Sequence, residues 1–390
     1  MKKIMTSAAL LFAAALAFIS CGDKEPVTPG YGISVPDLVL DFDKSVIQAS
    51  GSDAVTFRAF YKGQDVSASS TLFLVEGGKY TPMSSMTFSA SKEGSYTFQV
   101  AHGTSKSDVV KISAISKAIP QAPADSKPQS ANFVHRTFFN QHTGAGCPNC
   151  PFMTYLLKKT LTEDVKDKVV LAALRNYGGE AGFASVQNPG GGWPFLHIDY
   201  NETYLYNGGE AGLKAVIERR TSTPAAVGIS ATPVYYEEDG QIVLTVAVKA
   251  AVANEYNIGV WLMQDGYKKT QTVDNGRLSL LGPEGFTDDY HYHNNCVRVA
   301  ESKYLGSHVG YPLGRIEAGQ TKEWRFVFNV GLGTEELGYV DHWWEGQKDG
   351  INLADLHFAA FVTTHEGTVY TVVNAIDFPY NEAKPFEYID

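Results

Sequence analysis

The stretch Phe133–Leu161, FVHRTFFNQHTGAGCPNCPFMTYLLKKTL, decides how the rest of the chain is read. It opens with an apolar, aromatic-rich run, crosses a glycine-containing loop and presents Cys147-Pro148-Asn149-Cys150. Phe152, Tyr155, Leu156 and Leu157 then fall at helical spacing. A strand, a tight loop and a CxxC at a helix N-terminus is the layout that thiol–disulfide chemistry needs. The first N–H groups and the helix dipole stabilise a thiolate on Cys147, and the two-residue spacer lets Cys150 resolve a mixed disulfide. Pro148 is expected in the first helical turn, where a missing N–H is no loss. The same spacing leaves a second reading open: a permanent, structural Cys147–Cys150 disulfide on a binding protein.

Downstream, Lys168–Leu174 is a near-continuous apolar run, the pattern of a buried parallel strand. A glycine-rich loop over Tyr177–Gly192 leads to Trp193-Pro194, then to Phe195–Asp199. Gly209–Arg220 offers a closing helix with Leu213, Val216 and Ile217 as its apolar face. From Thr223 onward the pattern is β, with strands expected at 242–248, 258–263, 321–328, 356–362 and 369–373.

Upstream, Lys117–Asn132 is a proline-rich polar segment with no periodic apolar face, read as a semi-rigid linker. Tyr31–Ala114 carries short alternating runs separated by turn signals such as Gly51-Ser52-Asp53 and Gly77-Gly78, which predicts a β-sandwich. Gly94–Val100 resembles the corner before the penultimate strand of bacterial immunoglobulin-like domains. That unit reads as a recognition module or as a spacer, and a fold alone names no ligand.

The first residues read as an address. Lys2 and Lys3 precede the apolar stretch Ala8–Ile19, too short to span a bilayer comfortably, and Phe18-Ile19-Ser20-Cys21 follows the pattern of a lipobox. The expectation is a bacterial lipoprotein acylated at Cys21, held to a membrane by that lipid, with residues 22–30 as a polar tether. Cys147, Cys150 and Cys296 then remain in the mature chain, too few for a disulfide-stapled scaffold. Cys296 is expected to be a buried thiol outside the pair.

At 390 residues the chain exceeds one ordinary core. A net charge of −10 argues against a nucleic-acid surface. There is no phosphate-binding glycine loop, nucleophile elbow or zincin motif. Structural zinc would need two further ligands at workable spacing, and His142 supplies one, so no metal or cofactor is expected. His291 and His293, two apart, would share a strand face as a metal pair or as a packed strand. Trp343-Trp344 would form an aromatic platform for a sugar or a partner, or plug a domain edge.

Together, Thr143-Gly144, Cys147, Cys150-Pro151, Trp193-Pro194 and the later Tyr292–Arg298 resemble the 28-kilodalton outer-membrane protein family of Bacteroidetes. The likeness covers about Phe133 to the C-terminus. Gly146 stands where many members carry Trp, and His293-Asn294-Asn295-Cys296 stands where they often show His-Asn-His. The resemblance implies an outer-membrane, lipid-anchored location and a thioredoxin-like core. In such cores a cis-proline faces the CxxC and its preceding residue contacts bound peptide, roles that would fall to Pro194 and Trp193. The expected architecture is multidomain α/β plus all-β. It has a signal peptide (1–20), a tether (21–30), an immunoglobulin-like β-sandwich (31–116) and a linker (117–132). A thioredoxin-like domain (133–222) and a C-terminal β-sandwich (223–390) complete it. Its function is expected to be thiol–disulfide exchange on a protein thiol, or non-enzymatic adhesion or binding to a surface partner.

Overall fold

Strand β3 (Ala54–Tyr61) shows why the N-terminal region folds as a sandwich: Val55, Phe57 and Ala59 are buried while Thr56 and Arg58 between them are exposed. That period of two gives each strand one core face. The computed structural model describes residues 32–175, 192–330 and 352–389. The expected signal peptide, Cys21, the tether, most of the glycine-rich loop and Trp343-Trp344 lie outside the described residues.

Around β3 stand β1 (Leu38–Phe42), β2 (Val46–Gln48), β4 (Gln64–Asp65), β5 (Thr71–Glu76), β6 (Lys79–Pro82), β7 (Thr87–Ser89), β8 (Gly94–His102), β9 (Ser105–Lys106) and β10 (Val110–Ile115). One sheet runs β1-β3-β4 with β7 on β3, and the other β2-β10-β8-β5-β6 with β9 on β8. Phe57 and Phe98 meet between the sheets at 4.8 Å. The corner before β8 is closed by the Tyr96 hydroxyl, which donates to the Lys92 carbonyl at 3.0 Å.

The segment 117–132 is not a free spacer. It lies along strand β16 (Gln241–Ala250): Thr245 Oγ1 donates to the Pro120 carbonyl at 2.6 Å, and Lys249 Nζ bonds Asp125 at 2.8 Å and the Pro128 carbonyl at 2.7 Å. Polarity and prolines marked it as extended, but its carbonyls serve as acceptors for a buried lysine, which sequence periodicity does not reveal.

The central region is built on β11 (Thr137–Thr143), whose seven residues are all buried. Helix α1 (Cys150–Thr160) carries the chain to β12 (Val169–Arg175), which lies parallel to β11. β13 (Phe195–Ile198) pairs antiparallel on the other side of β11, and β14 (Glu202–Leu205) forms its hairpin. Helix α2 (Gly209–Thr221) follows and buries Leu213, Val216 and Ile217. These three pack with Phe139, Leu196 and Ile198 of the sheet and with Met153, Leu156 and Leu157 of α1, so both helices cover one face. Each such side chain contributes about 1.5–3 kcal/mol when fully buried.

The remaining strands are β15 (Val227–Tyr236), β16 (Gln241–Ala250), β17 (Asn254–Gln264), β18 (Tyr267–Lys268), β19 (Tyr292–His293), β20 (Cys296–Glu301), β21 (Tyr311–Ile316), β22 (Thr321–Asn329), β23 (Leu356–Glu366) and β24 (Val369–Pro379). They do not close a separate sandwich. The nine-stranded sheet runs β14-β13-β11-β12-β20-β17-β23-β24 with β21 on β17, so the boundary expected at 222/223 falls inside one sheet. The join is β12 to β20, parallel, where Ala173 faces Cys296 and the Ala173 amide donates to the Asn295 carbonyl at 2.8 Å. Sheet β15-β16-β22 stands apart in hydrogen bonding, and its residues join one core with those of β17, β23 and β24. The chain is thus a β-rich, multi-sheet protein in which α1 and α2 cover one end of the longest sheet.

Candidate functional site

The CxxC loop leaves β11 where the strand's buried run ends. Cys147 and Cys150 are joined in a disulfide with Cα atoms 5.4 Å apart, inside the range such bonds require. Helix α1 begins at Cys150, and it is Pro151, not Pro148, that occupies its first turn. Pro148 stays in the loop because its carbonyl is used elsewhere. The Cys147 amide donates to the Gly144 carbonyl at 3.1 Å and the Cys150 amide to the Cys147 carbonyl at 3.3 Å, which closes the loop as consecutive turns.

Both sulfurs are covered: Cys147 and Cys150 are each only 1% exposed. The cover comes from the other half of the chain. Between the paired strands β18 and β19 a strap, residues 269–274, crosses the loop. The Thr272 amide donates to the Ala145 carbonyl at 2.8 Å, and the Asp274 amide to the Pro148 carbonyl at 2.9 Å. Between them the Gln271 side-chain amide reaches the carbonyls of Cys147 at 2.9 Å and Gly144 at 3.4 Å. Four loop carbonyls that would otherwise bind water, or an extended peptide, are taken by the chain itself.

His291 anchors the strap. Its Nδ1 accepts from the Gln271 amide at 2.9 Å, and its carbonyl accepts from the Lys269 amide at 2.9 Å. His291 ends a short helical turn while His293 lies on β19 opposite Tyr267, so the two do not share a strand face as expected. Burial, then the charge of Arg175, pushes His293 down to about 3, a neutral imidazole whose Nε2 meets the Lys269 carbonyl at 3.1 Å. Among the described residues no three His, Cys, Asp or Glu side chains gather into a metal-ligating group. Further along, Leu281 and Tyr290 pack against Phe152 of α1, which pins the strap's far end to the helix that the disulfide starts.

Trp193-Pro194 is a cis peptide bond immediately before β13. Phe195 pairs with His142 in the sheet, which puts Pro194 at the edge from which the CxxC loop departs. The His142 and Phe195 rings stack at 4.1 Å, and the Trp193 ring lies 6.3 Å from Phe195. Burial, then the neighbouring His197, lowers His142 to about 3, so it stays neutral. Cys296 is buried at the start of β20 and takes no part in the disulfide.

A buried acid, Asp199, lies at the far end of β11 from the CxxC loop. Asp199 accepts from the Phe138 amide at 2.6 Å and from Thr137 Oγ1 at 2.9 Å, and pairs with Arg220 at 3.1 Å. Thr137 opens β11 and the CxxC follows its last residue, so Asp199 lies about 20 Å from the sulfurs at a strand's rise per residue. Gln271 was not legible as a site residue. The segment KKTQTVDNG reads as an ordinary polar loop, and no local pattern ties it to a cysteine more than a hundred residues earlier.

No protein-family model matches the chain and no curated protein matches it, so the family resemblance stands on the quoted motifs alone. Among solved structures it is similar to HBP35 of Porphyromonas gingivalis, at 14% identity over 66% of this chain and 78% of that one, with a TM-score of 0.47. Three N-terminal domains of the highly immunogenic outer capsid protein of bacteriophage RB49 align at 10% identity over 90% of this chain and 99% of that one, with a TM-score of 0.15. A Salmonella alpha-2-macroglobulin aligns at 8% identity over 92% of this chain and 24% of that one, with a TM-score of 0.16. The functional reading therefore stands on the chain's own geometry.

Proposed function

We propose that this chain is an envelope lipoprotein, anchored through lipid on Cys21, that acts as a non-enzymatic binding protein and uses the Cys147–Cys150 disulfide as a structural clip. The single observation that carries the reading is the pair of sulfurs at 1% exposure beneath a strap hydrogen-bonded to the loop around them. Exchange begins with a thiolate reaching a disulfide sulfur, and its rate depends on that access. A covered sulfur favours the clip. The four-strand order β14-β13-β11-β12, with β12 parallel and β13 antiparallel to β11 and both helices on one face, supports a thioredoxin-like origin for this unit.

A glutathione redox titration of the soluble fragment from Pro26 onward, with Cys147→Ser as control, tests the clip. The expected result is a disulfide that stays closed below roughly −300 mV. A reversible midpoint at roughly −120 to −270 mV would sink the clip and establish exchange on a protein thiol. That second reading is favoured by the position of Cys147 ahead of α1 and of Trp193-Pro194 at the same edge, and it requires the strap to lift. Anchoring is tested separately: metabolic labelling with an alkyne fatty acid should mark the wild-type chain and leave Cys21→Ser unmarked.

A further inference from the structure

The N-terminal sandwich and the central sheet do not close on each other everywhere. Between β1, the approach to β10, β20 and β22 they leave a cleft of about 410 Å³, within the usual range of small-molecule sites and at the kind of domain junction where these occur. Its walls are aliphatic and aromatic, among them Leu40, Val110, Val299, Leu305, Val327 and Phe328. Two acidic groups interrupt them, the exposed Asp108 and Glu301, and Glu301, at the end of β20, is partly exposed to the cleft. Its Oε2 accepts from the Tyr311 hydroxyl at 2.6 Å, and among the described residues no group bonds Oε1. A carboxylate set in an apolar wall with one oxygen held and the other open is a receptor for a donor, best of all a charged one.

We propose that this cleft binds a small amphiphilic primary amine, with its ammonium on Glu301 and its hydrocarbon body against the aliphatic wall. An anionic head group in the same place would face the Glu301 carboxylate. The charge that selects the head is that of the partly buried Glu301, because water screens the other charges of the lining, those of the exposed Lys303 and of the exposed Lys111 and Asp108. Val109, between them, is 57% exposed, an apolar edge where a hydrocarbon chain would leave. Burial pushes the Glu301 carboxyl up, against the Tyr311 bond and the Lys111 charge, and a bound ammonium would relieve that cost. The cleft shares no residue with the CxxC loop or its strap, so the inference holds under either outcome of the redox titration.

Calorimetric titration of the full chain with octylamine, octanol and octanoate tests it. Saturable octylamine binding is expected, at least tenfold tighter than octanol, with no octanoate binding. Glu301→Gln should weaken octylamine at least tenfold. Val109→Trp, at an exposed rim position, should block octylamine and octanol. Equal affinity for octylamine and octanol, octanoate binding, no binding at all, or octylamine binding indifferent to both variants would each overturn the proposal. Should Glu301→Gln fail to fold, Val109→Trp and the three-ligand comparison still decide.

Discussion

Gln271 donates its side-chain amide to the carbonyl of Cys147 at 2.9 Å, although 124 residues separate them along the chain. The same amide nitrogen also meets the Gly144 and Thr272 carbonyls, and Gln271 is 6% exposed. A buried amide that satisfies this many carbonyls fixes both partners, because either one left alone would bury unpaired polar groups. Strap and CxxC loop are therefore one structural unit, and the chemistry of the sulfurs is set by how often that unit opens.

Gln271→Ala should raise the rate at which dithiothreitol reduces the Cys147–Cys150 bond by about tenfold, the effect of losing about 1.4 kcal/mol of hydrogen bonding. Timed alkylation with mass analysis reads the rate. An unchanged rate would mean that the strap does not control access.

Gly282 lies at φ +71° and a Cβ there would run into the Tyr155 hydroxyl of α1. Tyr155 can swing aside, so the backbone conformation carries most of the penalty, about 1 kcal/mol or more for a residue with a side chain. Gly282→Ala should speed hydrogen exchange at the Thr272 and Asp274 amides by about tenfold and leave exchange in β3 unchanged. If exchange in the strap stays at the wild-type rate, its far end is not held by the turn at Gly282.

His357 is flanked by two carboxylates, with Nδ1 2.9 Å from Asp377 and Nε2 3.4 Å from Asp265. Burial alone would lower its pKa, but the hydrogen bonds and charges of Asp265 and Asp377 outweigh it and raise the imidazole to about 9. A raised folded value means that the protonated form is favoured by folding. The stabilisation is complete below the unfolded value near 6.5 and is lost as pH rises through about 9. Thermal unfolding should show stability falling between those limits in the wild type, and a flatter profile there in His357→Gln. A wild-type profile flat across that window would show that His357 is not held charged.

Much of this molecule was legible before its structure. The CxxC followed by a helix, the strand after it, the apolar face of α2 and the alternating strands of the sandwich all follow from local periodicity, as Leu213, Val216 and Ile217 illustrate. What escaped depends on pairings that no local pattern encodes. The Ala173–Cys296 join that merges two expected domains is a single parallel register between the run at 168–174, which reads as a buried strand, and β20, which is not among the strands the sequence pattern predicts. Gln271 sits in a polar loop, and only its distant acceptors make it part of the site. The open oxygen of Glu301 is visible only once β1 and β22 wall the space beside it.

The docking of the 117–132 segment gives the last test. Lys249 is buried at 2% exposure in β16, and a buried ammonium is tolerated only when oxygen surrounds it. Asp125 and the Pro128 carbonyl bond its Nζ at 2.8 and 2.7 Å, while the Lys127 carbonyl and Tyr388 hydroxyl approach at 3.4 Å. Tyr388 in turn donates to Asp125 at 2.6 Å, so one lysine ties segment, sheet and C-terminal tail together. Lys249→Met keeps the length of the stem and removes the charge. The freed carbonyls can turn to water once the segment detaches, so the loss should be about 2 kcal/mol, that of a charged hydrogen-bond set, rather than global unfolding. Limited proteolysis should then cut between Ala122 and Lys127, where the wild type resists. Resistance retained in Lys249→Met would assign the docking to the Thr245 bond to Pro120 instead.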